Sequence, residues 1–498
     1  MTIRVHDTLS RAKRDLVTRD EGRVSMYVCG PTVYNHIHIG NARTFLTFDV
    51  IRRYLEYRGY EVDFVQNITD IDDKIIARAA EEGIPAEEVA AKYTMAFLEA
   101  MDVLGVAPPT SRPRATRTIR EQVAMIERLI EGGHAYAVDG DVYFSVRSFR
   151  GYGELSGRDI DELESGARVD VDARKADPQD FALWKAAKPG EPSWESPWGR
   201  GRPGWHLECS AMAEAELGKT FDIHGGASDL IFPHHENERA QSEAAFGVPF
   251  VRYWLHGGLL QVNAEKMSKS LGNFMLLKEV LSAYRPQVVR LLMLQTHYRS
   301  PLDFSPDRLD EAKAAWERLE NLLRNLRWAR GAKREGEGAP EEDREGLRGA
   351  ASDARAKFED EMDDDFNAAG AVAAVFELAR AANVFMSEHQ ARLSEADVGA
   401  LREAEDEIGE LLGVLGVDVA PQPEAALPYE LVDMARDLAG YSGTDKQEAL
   451  AALLAARAAA RTERHWAAAD AVRDGLASLG FVIEDTPGGS RAVFRPEG

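Results

Sequence analysis

The first 80 residues carry the pattern that most constrains the fold: a short apolar strand, an amphipathic helix and a second apolar strand. Residues 23–29 predict the first strand, and the turn-rich run Gly30-Pro31-Thr32 follows it. A helix is expected from near Gly40 to near Gly59, because apolar side chains recur at helical spacing at Phe45, Phe48, Ile51 and Leu55. Residues 61–68 predict the second strand. Strand, helix and strand over this length imply a right-handed crossover between parallel strands, in a sheet whose ligands bind beyond the carboxyl ends of the strands.

The bulk composition sets wide limits on domain number and partners. A chain of 498 residues is too long for one core, so three or more domains are expected. No apolar run is long enough to span a membrane, and the start of the chain has no apolar core of the kind found in secretory signals. Asp and Glu number 84 against 60 Lys and Arg, giving a formal charge of −24. Net charge governs solubility and long-range steering, whereas binding depends on local patches, so a nucleic-acid partner is not excluded.

Two cysteines and one histidine-rich run form the second informative set. The chain has only two cysteines, Cys29 and Cys209, and each lies in a motif-like stretch. His234 and Glu238 are four residues apart, just after a proline that suits the first turn of a helix, so both side chains share one helical face. Two thiolates, one imidazole and one carboxylate satisfy the tetrahedral preference of Zn²⁺. These residues predict one zinc ion per chain, at a site where a thiol substrate could join or displace the carboxylate.

Other interpretations of these residues stay open on the sequence alone. The two cysteines could form a disulfide, although a reducing cytosol disfavours one. Either thiol could be a small buried hydrophobic group. His235 could replace His234 as the ligand, because a spacing of three residues also brings it near Glu238.

Two further segments have the composition of phosphate-binding elements. His38, Gly40 and Asn41 lie between the first strand and the first helix, where unpaired N–H groups at a helix start attract phosphate. His38 can donate to a phosphoryl oxygen as charge develops. Further on, Lys266 and Lys269 lie on either side of Ser268 in a run before a glycine, and two ammonium groups suit a polyphosphate. Taken singly, each segment could equally be an ordinary surface loop.

Together these motifs resemble the class I aminoacyl-tRNA synthetases. His38-Ile39-Gly40-Asn41 is similar to the HIGH motif of that class, with Asn41 in place of its last histidine, and residues 266–270 read KMSKS. Over essentially its whole length the chain resembles the cysteinyl-tRNA synthetase family. The matching stretches are Cys29-Gly30-Pro31-Thr32-Val33-Tyr34, Asn67-Ile68-Thr69-Asp70-Ile71-Asp72-Asp73-Lys74, residues 201–210, Phe221-Asp222-Ile223-His224-Gly225-Gly226, His234-His235-Glu236-Asn237-Glu238 and Met362-Asp363-Asp364-Asp365-Phe366-Asn367.

The resemblance implies a two-step reaction, in which cysteine and ATP give cysteinyl-adenylate and the cysteinyl group then passes to the terminal ribose of tRNA(Cys). It implies catalytic roles for His38, Lys266 and Lys269. It also implies a binding site for Mg-ATP at Thr32, His38, Gly40, Asn41, Lys266, Ser268 and Lys269, a cysteine pocket at Thr69, Trp205, His224 and Asp229, and zinc ligands at Cys29, Cys209, His234 and Glu238. A soft thiolate binds zinc far better than a neutral hydroxyl does, so the metal would separate cysteine from serine without editing.

The resemblance also implies a domain order and a cellular setting. We expect a Rossmann-type α/β catalytic domain at residues 1–110 and 201–270, split by a connective insertion at 111–200 that is helical first and then irregular. The KMSKS loop and stem-contact region would cover 271–307, a helical anticodon-binding bundle 308–420, and a small C-terminal α+β anticodon-recognition domain 429–498. In that last domain Arg457, Arg461 and Arg464 are expected to share one helical face near Trp466. The protein is expected to be a cytoplasmic monomer without a membrane partner.

Two rival functions remain. The cysteine ligase of mycothiol synthesis shares the fold, the zinc and adenylate formation but uses an amino-sugar acceptor, and that family lacks the extra C-terminal domain. An inactive paralogue that only binds RNA would be expected to lose its metal and lysine positions, and here all of them are intact.

Overall fold

A computed structural model describes residues 2–159, 174–262, 265–266, 275–331, 336–390, 392–420, 427–486 and 489–494. The chain divides into two compact units. The first consists of Met1–Asn321, Ser352–Leu378 and Glu407–Asp418, and the second of Leu322–Ala351, Ala379–Asp406 and Val419–Gly498. The boundaries between the two units fall within four long helices, at residues 321, 351, 378 and 406.

The first half contains both strands and helices. In chain order they are β1 (Arg4–Asp7), β2 (Ala12–Asp15), β3 (Arg23–Val28), α1 (Ile39–Tyr57), β4 (Glu61–Gln66), α2 (Asp73–Glu82), α3 (Ala86–Val103), α4 (Ile119–Glu131), β5 (Ala135–Val138), β6 (Asp141–Phe144), β7 (Phe181–Ala186), β8 (Gly201–Pro203), α5 (Trp205–Leu217), β9 (Phe221–Ala227), α6 (Glu236–Phe246), β10 (Val251–Gly257), β11 (Leu260–Val262) and β12 (Glu265–Lys266).

The second half is mostly helical. Its elements are α7 (Leu277–Ala283), α8 (Pro286–Leu294), β13 (Leu302–Asp303), α9 (Pro306–Gly331), α10 (Glu341–Asp363), α11 (Ala368–His389), α12 (Glu395–Val414), α13 (Glu430–Ala439), α14 (Lys446–Thr462), α15 (Trp466–Ser478), β14 (Phe481–Thr486) and β15 (Gly489–Phe494).

A four-stranded parallel sheet in the order β10-β9-β3-β4 forms the centre of the first unit and confirms the predicted α/β fold. Every residue of β3 after Arg23 is buried, as expected for a strand covered on both faces. Since β3 is central, Cys29 leaves the sheet at its middle, and its N–H donates to the Gly225 carbonyl at 3.3 Å. Gly30 then passes so close to the next strand that a Cβ there would lie 1.6 Å from the Asn67 carbonyl oxygen, so only glycine fits.

The stretch between α4 and α5 differs from the expectation of an irregular segment. It contains an antiparallel sheet in the order β5-β6-β7-β8. Asp139 and Gly140 connect β5 to β6, with φ of 52° and 86°, which is the left-handed backbone that a two-residue hairpin requires. The Asp-Gly pair is a recognised hairpin signal, and neglecting it made this part of the expectation wrong.

A buried ion pair joins α1 to α8 within the first unit. The side chains of Asp49 and Arg290 are 1% and 2% exposed, and the Arg290 guanidinium donates to the Asp49 carboxylate. Asp49 also accepts the Ala107 N–H at 2.9 Å. Breaking a buried pair on one side leaves an uncompensated charge, at a cost of about 3–5 kcal/mol.

We therefore expect Asp49→Asn to lower the midpoint of thermal unfolding measured by calorimetry, by several degrees. Glu56→Gln is the matched control, because Glu56 pairs with Arg52 at 2.8 Å on the same helix but is 43% exposed. Exposed pairs contribute about 0–1 kcal/mol, so the control should unfold like the wild type. Equal midpoints for the two variants would contradict this account.

The second unit ends in three helices and a hairpin. A buried core joins α13, α14, α15 and β14, with side chains from Leu431, Val432, Leu453, Leu476 and Phe481. Strands β14 and β15 pair antiparallel, Ile483 opposite Ala492, as the predicted small α+β domain requires.

The expected arginine face of this unit is wrong. Arg457 is 7% exposed, and α14 ends at Thr462, two residues before Arg464. Arg464 has a φ of 61°, so the chain turns away from the helical path there.

Among the described residues, only α11 has the length and apolar composition that a membrane-spanning helix needs, with a mean hydropathy of 1.4. Half of that apolar window is buried inside the protein. Core helices of non-membrane proteins commonly have the same properties.

Candidate metal and nucleotide site

Four predicted ligand residues converge beyond the carboxyl ends of the central strands. Cys29 follows β3, Cys209 lies on α5, and His234 and Glu238 lie on the turn that leads into α6 and on α6 itself. One ligand atom from each lies within 4.8 Å of the others, and all four side chains are buried. Residues separated by up to 209 positions thus form one compact cluster.

The distances between the ligand atoms of the cluster are those expected for atoms that surround one common point. The two sulfur atoms are 3.7 Å apart, and Cys29 Sγ lies 3.5 Å from Glu238 Oε1. His234 Nε2 lies 2.8 Å from Glu238 Oε1, which confirms the predicted shared helical face. Neither cysteine is in a disulfide.

The charges in this buried site shift the pKa values of its members. Burial raises the pKa of the Cys29 thiol, whereas the hydrogen bond from Cys29 lowers the pKa of Cys209 to about 6. Burial alone would lower the pKa of His234, but Glu238 and Cys209 raise it to about 10. Burial would likewise raise the pKa of Glu238, yet His234 and His224 hold it well below its usual range. These shifts favour a thiolate at Cys209, a carboxylate at Glu238 and a protonated imidazole at His234. A bound divalent cation would take the place of the imidazole proton beside the two anions.

The donor set fits a zinc ion by its chemistry. Two sulfurs, one nitrogen and one oxygen in a buried cluster are a four-ligand set typical of Zn²⁺. A second overlapping group, Cys29, His224, His235 and Glu238, also lies within 4.8 Å, so the alternative of His235 as a ligand has a geometric basis. We favour the first group because it uses both thiols, the softest donors present.

Further histidines surround the cluster, and the sequence reasoning missed two of them, His206 and His256. His206 Nδ1 lies 2.9 Å from His234 Nδ1, so it partners the ring nitrogen of His234 that faces away from the cluster. His235 Nε2 lies 3.4 Å from Cys29 Sγ, and its Nδ1 lies 2.7 Å from His256 Nε2. His206 stands three residues before Cys209 on α5, and that spacing was a usable signal. His256 had no such signal, because only the pairing of β10 with β9 places it here.

Three of the four residues predicted for the cysteine pocket lie near the cluster. The Trp205 ring stacks on His234 with centroids 4.3 Å apart and is 36% exposed. His224 Nε2 lies 2.8 Å from Glu238 Oε2. Thr69 is buried, and it is hydrogen-bonded to Glu208, the residue before Cys209. Asp229 instead lies exposed on the turn Ser228–Leu230 after β9.

The predicted phosphate-binding motif forms the start of α1. His38 is the N-cap: its Nδ1 accepts the Asn41 N–H at 3.2 Å, while Asn41 Oδ1 accepts the His38 N–H at 3.2 Å. Asn41 therefore completes a reciprocal cap. A Cβ on Gly40 would lie 2.9 Å from His38 Nδ1, so glycine leaves room for the imidazole. Thr32 pairs with Thr69 in a parallel bridge, which places it beside the predicted cysteine pocket.

The lysine motif is described only in part. Lys266 lies on β12, opposite Gln261 of β11. Ser268 and Lys269 lie outside the described residues. The chain that follows the motif contacts the start of α1: His38 and Leu276 form an antiparallel bridge, and the Ile39 N–H donates to the Met275 carbonyl at 3.2 Å. The described chain that follows the lysine motif therefore lies against the start of α1.

Three family models match successive parts of the chain. A model described as the tRNA synthetases class I (C) catalytic domain matches residues 15–314. A DALR domain model matches residues 357–420, and a model described as the cysteinyl-tRNA ligase anticodon binding domain matches residues 444–492.

Full-length relatives agree with these models. The chain is 50% identical over 495 residues to a cysteine–tRNA ligase of Desulforamulus reducens, covering 98% of this chain and 99% of the relative. It is also 50% identical over 493 residues to a cysteine–tRNA ligase of Heliobacterium modesticaldum, covering 99% of both. Among solved structures, the Mycobacterium tuberculosis methionyl-tRNA synthetase in complex with methionyl-adenylate has a TM-score of 0.59, with 16% identity, and covers 79% of this chain and 90% of its own. The last likeness concerns the fold alone.

Proposed function

Since this chain belongs to the cysteine–tRNA ligase family, we propose that it activates L-cysteine with ATP at the metal and nucleotide site and transfers the cysteinyl group to the terminal ribose of tRNA(Cys). The observation that supports this most directly is the buried cluster of Cys29, Cys209, His234 and Glu238, whose first member lies on the connection from β3 to the start of α1. A thiol-binding centre next to a phosphate-binding helix start is the arrangement that cysteine adenylation needs.

In this proposal Cys29, Cys209, His234 and Glu238 hold one Zn²⁺ ion per chain. When bound, the ion supplies a Lewis acid that prefers a thiolate to a hydroxyl. Trp205 covers His234 from the open side and limits water access, while the buried Thr69 and His224 complete the pocket wall. The exposed Asp229 is the weakest member of the proposed pocket, and we give it a role only at the rim.

ATP is proposed to bind at the start of α1. The Asn41 N–H donates to His38 Nδ1, so the neutral His38 ring carries its proton on Nε2 and can donate it to an α-phosphoryl oxygen. Lys266 and Lys269, with Ser268 between them, would neutralise the β- and γ-phosphates together with Mg²⁺. Placement and charge neutralisation are the main sources of rate in such chemistry.

The mycothiol-pathway ligase is the second candidate, because adenylation of cysteine would need the same site. The match of residues 444–492 to an anticodon-binding domain favours tRNA as the acceptor, since an amino-sugar acceptor gives that domain no role. We accordingly propose residues 308–420 and 429–498 as the tRNA-reading part, residues 271–307 as the stem-contact region, and 1–110 with 201–270 as the catalytic domain carrying the insertion 111–200. We also propose that the protein is a monomer and that it is located in the cytoplasm.

Charging of total bacterial tRNA by the purified zinc-loaded protein tests this function. We expect radiolabelled cysteine to be attached to tRNA, and serine at tenfold excess neither to be attached nor to compete. A plain pocket separates such near-isosteres by about 10- to 200-fold only, so stronger rejection of serine indicates selection by the metal. Cysteine-dependent pyrophosphate exchange without tRNA charging would move the assignment to a ligase with a small amine acceptor.

A further inference from the structure

A buried arginine two residues after the HIGH-like motif links three parts of the first unit. Arg43 lies in the second turn of α1 and is 3% exposed. Within the described part of the chain, its guanidinium donates to backbone carbonyls, and burial lowers its pKa to about 10, so it stays charged at neutral pH. A buried charge satisfied in this way is costly to maintain, which points to a role in holding those carbonyls.

The two ends of the guanidinium hold different segments. Nη1 donates to the carbonyls of Gly258 and Leu259, at 2.9 Å each, just before β11 begins at Leu260. Nη2 donates to the Ser300 carbonyl at 2.5 Å, just before β13 begins at Leu302. A planar fork can span two segments in this way, whereas the point charge of a lysine cannot.

The two segments are themselves packed closely together. The Gly258 N–H donates to the Tyr298 carbonyl at 2.7 Å, and a Cβ on Gly258 would lie 2.4 Å from the Ser300 carbonyl oxygen. From there β11 pairs parallel with β13 and antiparallel with β12, which carries Lys266. Arg43 on α1 is therefore connected to the strand of Lys266 through a continuous series of hydrogen bonds and strand pairings.

We propose that Arg43 is a positioning residue for adenylate formation: its fork sets β11 and β13, and through β11 the strand of Lys266, against the start of α1 where His38 lies. The proposal rests on the proposed function, because it assigns phosphates to His38 and Lys266. It gives Arg43 no contact with substrate. Replacing Arg43 should therefore slow the step in which the phosphates are held between these two segments. It should leave zinc binding and cysteine binding at the thiol-binding cluster unchanged.

Arg43→Lys is the test variant, because it keeps the charge and most of the aliphatic stem. Arg290→Lys is the matched control: Arg290 is 2% exposed and donates to the carbonyls of Leu104 and Leu415 at 2.9 and 3.0 Å. It also donates to Asp49 of α1, but its hydrogen bonds within the described chain do not reach β11, β12 or β13. In cysteine-dependent pyrophosphate exchange we expect Arg43→Lys to lower kcat about tenfold to a hundredfold, as small misplacements of reacting groups do. KM for cysteine and zinc content should stay within about twofold of wild type, since the metal cluster is untouched.

Hydrogen exchange provides a readout that does not depend on activity. Amides of residues 258–262 and 300–303 should exchange faster in Arg43→Lys than in the wild type and in Arg290→Lys. The proposal is overturned if kcat is unchanged, if the control loses as much kcat, or if those amides keep their protection. Absence of exchange activity in the zinc-loaded wild type would instead contradict the proposed function itself.

Discussion

Replacing Cys209 by serine is expected to abolish zinc binding and cysteine activation together. Cys209 is 1% exposed and its sulfur lies 3.7 Å from that of Cys29. A serine hydroxyl stays protonated at neutral pH and is a poor zinc ligand, so a four-ligand site would keep three ligands. Since loss of an outer partner of a metal ligand already costs about 10- to 100-fold, loss of a ligand should lower kcat/KM for cysteine by more than about a hundredfold.

The measurement is zinc content by elemental analysis alongside cysteine-dependent pyrophosphate exchange. Ser210→Ala is the matched control, because Ser210 is buried on the same helix and its hydroxyl donates to the Glu238 carbonyl at 3.3 Å without joining the cluster. The control should keep one zinc per chain and its activity within about threefold, since loss of one neutral hydrogen bond costs about 1 kcal/mol. Full exchange activity in zinc-free Cys209→Ser protein would refute the zinc assignment.

The second large effect is expected for His38→Asn. Asparagine is as good an N-cap as any residue, so α1 should keep its start and the free energy of unfolding should change by less than about 1 kcal/mol. The variant removes only the ring that can donate to the phosphoryl group. Loss of one such donor costs about 10²–10³ in kcat, and we expect this loss in pyrophosphate exchange with zinc content unchanged.

His36→Asn is the matched control for that variant. It makes the same substitution two residues earlier, before the HIGH-like motif, where the His36 ring packs edge-on against Tyr93 with ring centroids 5.5 Å apart. Its kcat should stay near the wild-type value. Equal losses in the two variants would show that the segment only needs its packing, and an active His38→Asn protein would remove His38 from the mechanism.

The sequence alone was enough to predict the local parts of this protein. The spacing of His234 and Glu238 placed both on one helical face, and their 2.8 Å contact follows from helix geometry. The strand–helix–strand pattern around α1 predicted a parallel sheet, because crossover connections have so few solutions. The long motifs identified the family, which the full-length relatives bear out.

Contacts between distant parts of the chain were decided only by the tertiary structure. His256 approaches His235 because β10 adds to the sheet beside β9, and no local spacing encodes that pairing. Arg457 is buried and Arg464 lies beyond the end of α14, since helix ends and burial depend on what packs around them. In the sequence Arg43 is indistinguishable from any other polar residue of an amphipathic helix. Only the tertiary structure shows that it donates to carbonyls more than 200 residues away. Hydrophobic periodicity and residue spacing in the sequence indicate which helix or strand a residue belongs to. The residues that it contacts elsewhere in the fold are set by tertiary packing, which only the folded chain defines.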